Sequence, residues 1–273
     1  MITITGNPHP SMLGLALSAV LGLLAPTRVH ADNSTAMPAV VLHDAPLTHF
    51  PGSWPREPWR SFEWVKNTEP LSIERIRELQ PGIVINSRMH GQADFSTAEV
   101  GFPKQRPAGW WEMCAIWNNG GWGHTRGEQY RPTSSVLEEF SRVRAWGGNY
   151  LINMGPRPNG ELPDVAYQRL AEFGEWMKHS GEAVLDTQAG AWPEDCNVPF
   201  TVNGNVRFLL LPPGFQGTVK LNRVSQPKSV QLLRTGETLP FKWLANEQGG
   251  SLSLELPADR RSGSVDAAAV ALP

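Results

Sequence analysis

Cysteine is nearly absent from this chain. Only Cys114 and Cys196 occur in 273 residues, far apart and without a CxxC or His-rich neighbour, which excludes a structural zinc site or a thioredoxin-like centre by motif. They read as two separate buried thiols. Charge of one sign is also missing: a formal net charge of -2 provides no broad basic field, so nucleic acid and anionic membrane surfaces are poor partners and a small neutral ligand fits better. No cofactor or metal motif is present. Tyrosine is scarce at three residues, yet there are eleven tryptophans. Clustered in loops, indoles line ligand sites as often as they fill cores. Only one apolar run is long, Met12 to Ala25, and it is short for a bilayer span. Val29-His30-Ala31 follows it with the small-x-small pattern that signal peptidase cleaves after, so residues 1–31 are expected to be a signal peptide and the mature chain to be exported, with no membrane attachment after cleavage. An uncleaved anchor is the alternative, because no Lys or Arg precedes the run.

Residues 32–59 show neither helical nor strand periodicity and are expected to be irregular. Regularity follows. Ser72 can cap a helix whose one face carries Ile73, Ile76 and Leu79, and Pro81-Gly82 stops it before the apolar strand Ile83-Val84-Ile85. A second strand runs from Glu112 to Trp117, followed by a Gly/Asn-rich loop and a helix opened by a Ser135/Glu138 capping box, with Val136, Phe140 and Val143 facing inward. Gly147-Gly148 ends that helix, Asn149 to Met154 forms a strand, and a third helix carries Ala166, Leu170, Phe173 and Met177 on one stripe. Alternating strand and helix predicts parallel βα units over residues 60–190. From Phe200 the pattern changes to short β runs, at 206–211, 218–221, 229–233 and 251–256, separated by Gly-rich turns. This predicts a small antiparallel β-sandwich over residues 196–257 and a patternless tail over 258–273.

In parallel βα architectures the working residues lie at strand C-termini and in the loops beyond. Arg88 follows the Ile83–Ile85 strand, Asp94 and Glu99 lie in its loop, Glu112 opens the next strand, Trp122 and His124 occupy the loop after it, and Asn153 ends the following strand. Each singly has a structural explanation. Their convergence points to a sugar, whose apolar C–H face stacks on indole and whose glycosidic bond is broken between two carboxyl groups; Glu99 and Glu112 are the available pair.

The segments INSRMHGQADFSTAEV, WWEMCAIWNNGGWGH, GGNYLINMGPRPNG and LAEFGEWMKHSGEAV resemble, in order and spacing, signature segments of α-L-fucosidases of glycoside hydrolase family 29, over about residues 60 to 257. The resemblance implies the second half of a (β/α)8 TIM-like barrel followed by a β-sandwich, and a retaining exo-hydrolase that removes terminal α-L-fucose from oligosaccharides or glycoconjugates without a cofactor. It assigns the acid/base to Glu99, sugar contacts to Arg88 and Trp122, and a second-ranked carboxylate to Glu112; His124, in the same loop as Trp122, is taken as a further sugar contact. Two positions depart from the pattern: Ser87 replaces an Asp often found before the arginine, and Met89 replaces an aromatic after it. The family's nucleophilic Asp belongs to a Trp-x-Asp-Gly-like segment; its best counterpart here is 49–54, with Pro51 where Asp belongs.

A complete barrel takes about 250 residues, so residues 32–190 are expected to hold some four βα units of a truncated or misframed barrel, with an open apolar face that self-association would cover. Two other readings stay open. One is a non-catalytic fucose-binding remnant; the other is a different glycosidase using Glu99 and Glu112 at about 5–5.5 Å or about 6.5–9.5 Å separation.

Overall fold

The computed structural model describes residues 2–4, 41–42, 73–88, 93–99 and 101–273. In chain order the first elements are β1 (Ile2–Ile4), β2 (Val41–Leu42), α1 (Ile73–Leu79), β3 (Val84–Ile85), β4 (Ser96–Glu99), β5 (Trp111–Ile116), α2 (Thr133–Ala145), β6 (Asn149–Asn153) and α3 (Asp164–Ser180). The protein is mixed α/β and divides into two compact units, Ala25–Thr97 and a larger one of Met1–Leu24 with Ala98–Pro273. That division falls inside the region 60–190 expected to be one body. Of the candidate signal peptide 1–31, Ile2–Ile4 form β1, paired with β6, and residues 5–31 lie outside the described residues. Among the described residues no helix is long and apolar enough to cross a membrane.

In the smaller unit β2 pairs in parallel with β3, Val41 opposite Val84 and Leu42 opposite Ile85. A two-residue strand is too short to leave a periodic signature, so the irregular reading of 32–59 is corrected at Val41–Leu42. Ile76, Ile83 and Ile85 form a small buried cluster with Ile73 against it. Leu79, expected on that face, is instead 63% exposed. Its helix ends at Leu79 itself, and Gly82, whose φ of 81° suits glycine, turns the chain toward β3. Asp94 joins the strand to the helix, accepting from the Ile85 backbone N–H at 2.9 Å and from Arg77 Nη2 at 2.7 Å.

In the larger unit the strand order is β1-β6-β5-β4, with Ala98 and Glu99 the part of β4 that belongs to it. β6 is parallel to β5, Glu112 opposite Asn149 through Ile116 opposite Asn153, and antiparallel to β1. α2 crosses between the two parallel strands. Alternation along β5 sends Trp111, Met113, Ala115 and Trp117 into one core with Tyr150, Ile152 and Met154 of the β6 segment, Val136, Phe140 and Val143 of α2, and Phe173 and Trp176 of α3. The expected inward faces of α2 and α3 are borne out, with Trp176 added. Its indole N–H donates to Val265 O at 2.7 Å. Cys114 and Cys196 are both buried thiols, not joined in a disulfide.

α2 does not begin as expected. Pro132 stands at its N-cap without a side-chain cap, and Ser135 Oγ turns back to donate to Pro132 O at 2.9 Å, so no capping box forms. Proline fixes φ at the value a helix start requires, and the first turn forms on that. Its C-terminus follows the glycine expectation: Gly147, at φ 76°, donates to Arg144 O and Gly148 donates to Val143 O, each at 2.9 Å, the paired bonds of a Schellman turn. A Cβ on Gly148 would lie 2.4 Å from the buried Trp111 ring, so the turn and β5 require each other.

Beyond residue 187 come β7 (Gln188–Ala189), β8 (Phe200–Asn203), β9 (Val206–Leu211), β10 (Thr218–Asn222), β11 (Ser229–Leu232), β12 (Glu237–Thr238), β13 (Phe241–Leu244), β14 (Ser251–Glu255) and β15 (Asp266–Ala271). Their pairings are antiparallel, in sheets of order β12-β11-β15-β9-β8-β7 and β10-β14-β13 that share one core, with Leu209, Leu211, Val230 and Val270 from the first and Val219, Leu221, Leu252 and Leu254 from the second. The expected loose tail 258–273 and the boundary 196–257 are therefore corrected. Residues 266–271 form the strand between β11 and β9. Its sequence, DAAAVA, offers no apolar alternation because alanine is small enough to be buried on either face.

Arg144, in the last turn of α2, ties these regions together. Its guanidinium is buried and donates from Nε to Val184 O at 3.0 Å, from Nη1 to Gly148 O at 2.8 Å and from Nη2 to Thr187 O at 3.1 Å. Burial pulls its pKa down to about 10, which leaves it charged at neutral pH. Arg144→Met leaves three carbonyls without this donor, and at about 1–3 kcal/mol for each buried group left unsatisfied a loss of at least ~3 kcal/mol is expected. Urea unfolding measures it: the midpoint should fall, and an unchanged midpoint refutes the clamp.

Candidate active site

The C-terminal end of β5 runs into a loop, 117–131, that the sequence marks only as Gly/Asn-rich. Its base is a ladder. Trp117 N–H donates to Asn153 O at 3.1 Å, Arg131 N–H to Trp117 O at 2.9 Å, Asn119 N–H to Gln129 O at 2.9 Å, and the Trp117 indole N–H to Arg131 O at 3.0 Å. Arg131 reaches Ile116 O at 3.0 Å and both oxygens of Glu139 at 3.3 Å, while Tyr150 OH donates to Glu139 Oε1 at 2.5 Å. Burial first, and then the neighbouring Glu139, holds the Tyr150 hydroxyl protonated well above its ordinary range.

Inside the loop one carboxylate gathers the donors. Glu128 Oε2 accepts from Asn118 Nδ2 at 2.6 Å and from the Thr125 N–H at 3.2 Å. Its Oε1 lies 3.0 Å from His124 Nδ1 and accepts from Tyr130 OH at 3.5 Å. The Glu128 side chain is 4% exposed and that of His124 27%. Burial, followed by the charge of Glu128, pushes the Tyr130 hydroxyl up to about 12.

The tip of the loop is seated on the chain just after β6. Asn153 Nδ2 donates to Trp122 O at 2.7 Å. A Cβ on Gly155 would lie 2.3 Å from both the Gly123 carbonyl carbon and the His124 nitrogen, so glycine is required for the approach. Trp122, 40% exposed, and His124 are thus held together over the end of β6.

The other expected residues are placed differently. Glu99 is exposed, and it ends strand β4, which lies beside β5 in the sheet, instead of lying in a loop as expected. Glu112 is 0% exposed and sits opposite Asn149 at the start of β5. Four residues of strand, about 13 Å, separate it from Ile116 and the loop. The structure therefore does not bring Glu112 together with Trp122 and His124. Arg88 belongs to the smaller unit; it is exposed, and its backbone N–H donates to Asn86 Oδ1 at 3.2 Å. Ser87 Oγ accepts from the Thr97 N–H at 3.1 Å. Glu128 and Asn118 escaped the sequence reading, although the four-residue spacing of His124 and Glu128 was visible. Among the described residues, no three His, Cys, Asp or Glu side chains gather to hold a metal.

The pinned loop presents an indole and an imidazole at the end of a parallel strand, and comparison with known proteins shows the family that the chain belongs to. The sequence profile described as alpha-L-fucosidase matches residues 36–182, more than half of the chain. The chain belongs to the alpha-L-fucosidase family. It is similar to the tissue alpha-L-fucosidase of Bos taurus, 26% identical over 222 residues that cover 76% of this chain and 46% of that protein. The plasma alpha-L-fucosidase of Homo sapiens is 29% identical over 161 residues, 54% of this chain and 33% of that one. Among solved structures, alpha-L-fucosidase isoenzyme 1 from Paenibacillus thiaminolyticus superposes with a TM-score of 0.63 at 23% identity, over 73% of this chain and 52% of that chain. The alpha-L-fucosidase from Vibrio sp. strain EJY3 gives 0.62 at 25% identity, over 73% and 37%. This alpha-L-fucosidase family member spans about half the length or less of the curated relatives it matches.

The seat of the loop is open to direct measurement. Gly155→Ala forces the 122–124 backbone away and should cost about 1–3 kcal/mol, the usual range for overpacking, with iodide quenching of Trp122 fluorescence, isolated by comparison with Trp122→Phe, altered in parallel. Wild-type quenching and stability in Gly155→Ala would show that the loop does not rest on this glycine.

Proposed function

We propose that this chain acts as an α-L-fucosidase, an exo-acting retaining glycoside hydrolase that releases terminal α-L-fucose from oligosaccharides or glycoconjugates. The observation that carries the reading is the pinned Trp122/His124 loop at the C-terminal end of β5 in a chain of this family. In this reading β5, α2, β6 and α3 belong to the second half of a (β/α)8 barrel, and the two antiparallel sheets form its accompanying β-sandwich.

The exposed indole of Trp122 stacks on the apolar face of the sugar and His124 bonds a hydroxyl, while Arg88, in the smaller unit, is a sugar contact by family resemblance alone. Glu99, exposed at its strand end, gives a proton to the leaving glycosidic oxygen and in the second half-reaction takes one from water. Glu112, buried at the other end of β5, supports the strand and does not touch substrate. No attacking carboxylate is recognisable among these residues: Pro51 stands at the position that resembles the nucleophile's, in a segment outside the described residues, and without a carboxylate from elsewhere the first half-reaction does not proceed and the chain as written is inactive. In this reading residues 1–31 direct export to a periplasmic, extracellular or lysosome-like compartment, and cleavage there would remove β1 from the edge of its sheet. Self-association belongs to the same reading.

Aryl α-L-fucosides with activated and with poor leaving groups test it. Release from the poor leaving group should fall about 10²- to 10⁴-fold in Glu99→Gln, the range for lost general acid help, and far less from the activated one. Equal loss with both aglycones removes Glu99 from the acid/base role. Binding of L-fucose with no phenol release from either aryl fucoside replaces the hydrolase by a fucose-binding module.

A further inference from the structure

A carboxylate can only accept hydrogen bonds, so the 3.0 Å contact between Glu128 Oε1 and His124 Nδ1 requires the proton on Nδ1. In the neutral ring Nε2 then carries a lone pair. The carboxylate is almost fully buried while the imidazole is partly exposed, which leaves Nε2 as the polar edge of the ring open to a ligand. The other oxygen of Glu128 is engaged by two donors, Asn118 Nδ2 and the Thr125 N–H, so the carboxylate cannot rotate to exchange its partners without loss.

From this geometry we propose that Glu128 is a positioning residue that fixes His124 as a hydrogen-bond acceptor, presenting Nε2 to a sugar hydroxyl beside Trp122. The dyad selects a ligand that donates a hydroxyl hydrogen at this point, and a deoxy sugar lacking that hydroxyl forfeits the contact. The ligand half of the proposal rests on the fucoside reading above; the tautomer half does not.

Glu128→Gln discriminates sharply. Its carbonyl oxygen takes the place of Oε2, where Asn118 and Thr125 donate at 2.6 and 3.2 Å, and the amide NH2 turns toward His124, with the Tyr130 hydroxyl, 3.5 Å from Oε1, turning to accept. An NH2 group donates, so Nδ1 must become the acceptor and the proton moves to Nε2. The side chain keeps its size and the loop keeps its ladder, but the exposed nitrogen changes from acceptor to donor.

Two-bond nitrogen–proton spectra of the ¹⁵N-labelled full chain, recorded with the imidazole neutral, read the tautomer directly. The expected result is Nδ1–H in the parent and Nε2–H in Glu128→Gln. An Nε2–H ring in the parent, or no change in the variant, overturns the proposal. Calorimetric titration with L-fucose reads the ligand half: Glu128→Gln and His124→Ala should each weaken binding roughly five- to tenfold, as for one hydrogen bond, and the double variant no more than either alone. Additive losses overturn the coupling. A parent chain that binds no L-fucose removes the ligand half along with the fucoside reading, whereas the tautomer result still decides whether Glu128 sets the ring.

Discussion

The larger unit depends on one buried cation. Arg144 ends α2, and its planar fork answers three carbonyls that come from two stretches of chain, the Schellman turn at Gly148 and the segment at Val184 and Thr187 that leads into β7. Those carbonyls belong to irregular backbone, which has no ladder of its own to satisfy it. A lysine has neither the reach in three directions nor the planarity to replace the fork. Around it, Trp146 donates to Trp192 O and Thr201 to Ala183 O, so the turn that ends a parallel crossover also fixes where the antiparallel sheets begin.

Much of this was legible in the sequence where one periodicity persists over several residues. Val136, Phe140 and Val143 recur at helical spacing and are buried, and residues 206–211 are a strand with the predicted bounds. Legibility failed where size or distant partners decide. The alanines of β15 are silent in a pattern of apolar alternation, yet they fill the middle of a six-stranded sheet. Ser135 looked like a cap because of its spacing to Glu138, while Pro132 had already set the helix start.

The candidate site divides along the same line. Trp122 and His124 could be named from composition and family likeness, because an indole near a strand end carries its chemistry openly. Glu128 could not, since a glutamate in a polar loop reads as solvated until its four partners are seen around it. Glu112 failed in the opposite sense. Its sequence neighbours drew it into the candidate pair, although it opens β5, as its place in the sequence indicated, at the end of the strand away from the loop.

The close seat of the loop at Gly155 has a thermodynamic consequence. Backbone held from both sides, by a ladder at its base and by contact at its tip, loses its conformational entropy when the chain folds. In the proposed site a ligand at Trp122 would have little main chain left to immobilise, and its affinity would not be reduced by an ordering penalty at the moment of binding. The proposed recognition would then draw on the same contacts as stability: whatever loosens the fold near β6 also disperses the orientations of the indole, and weak binding would appear before unfolding does.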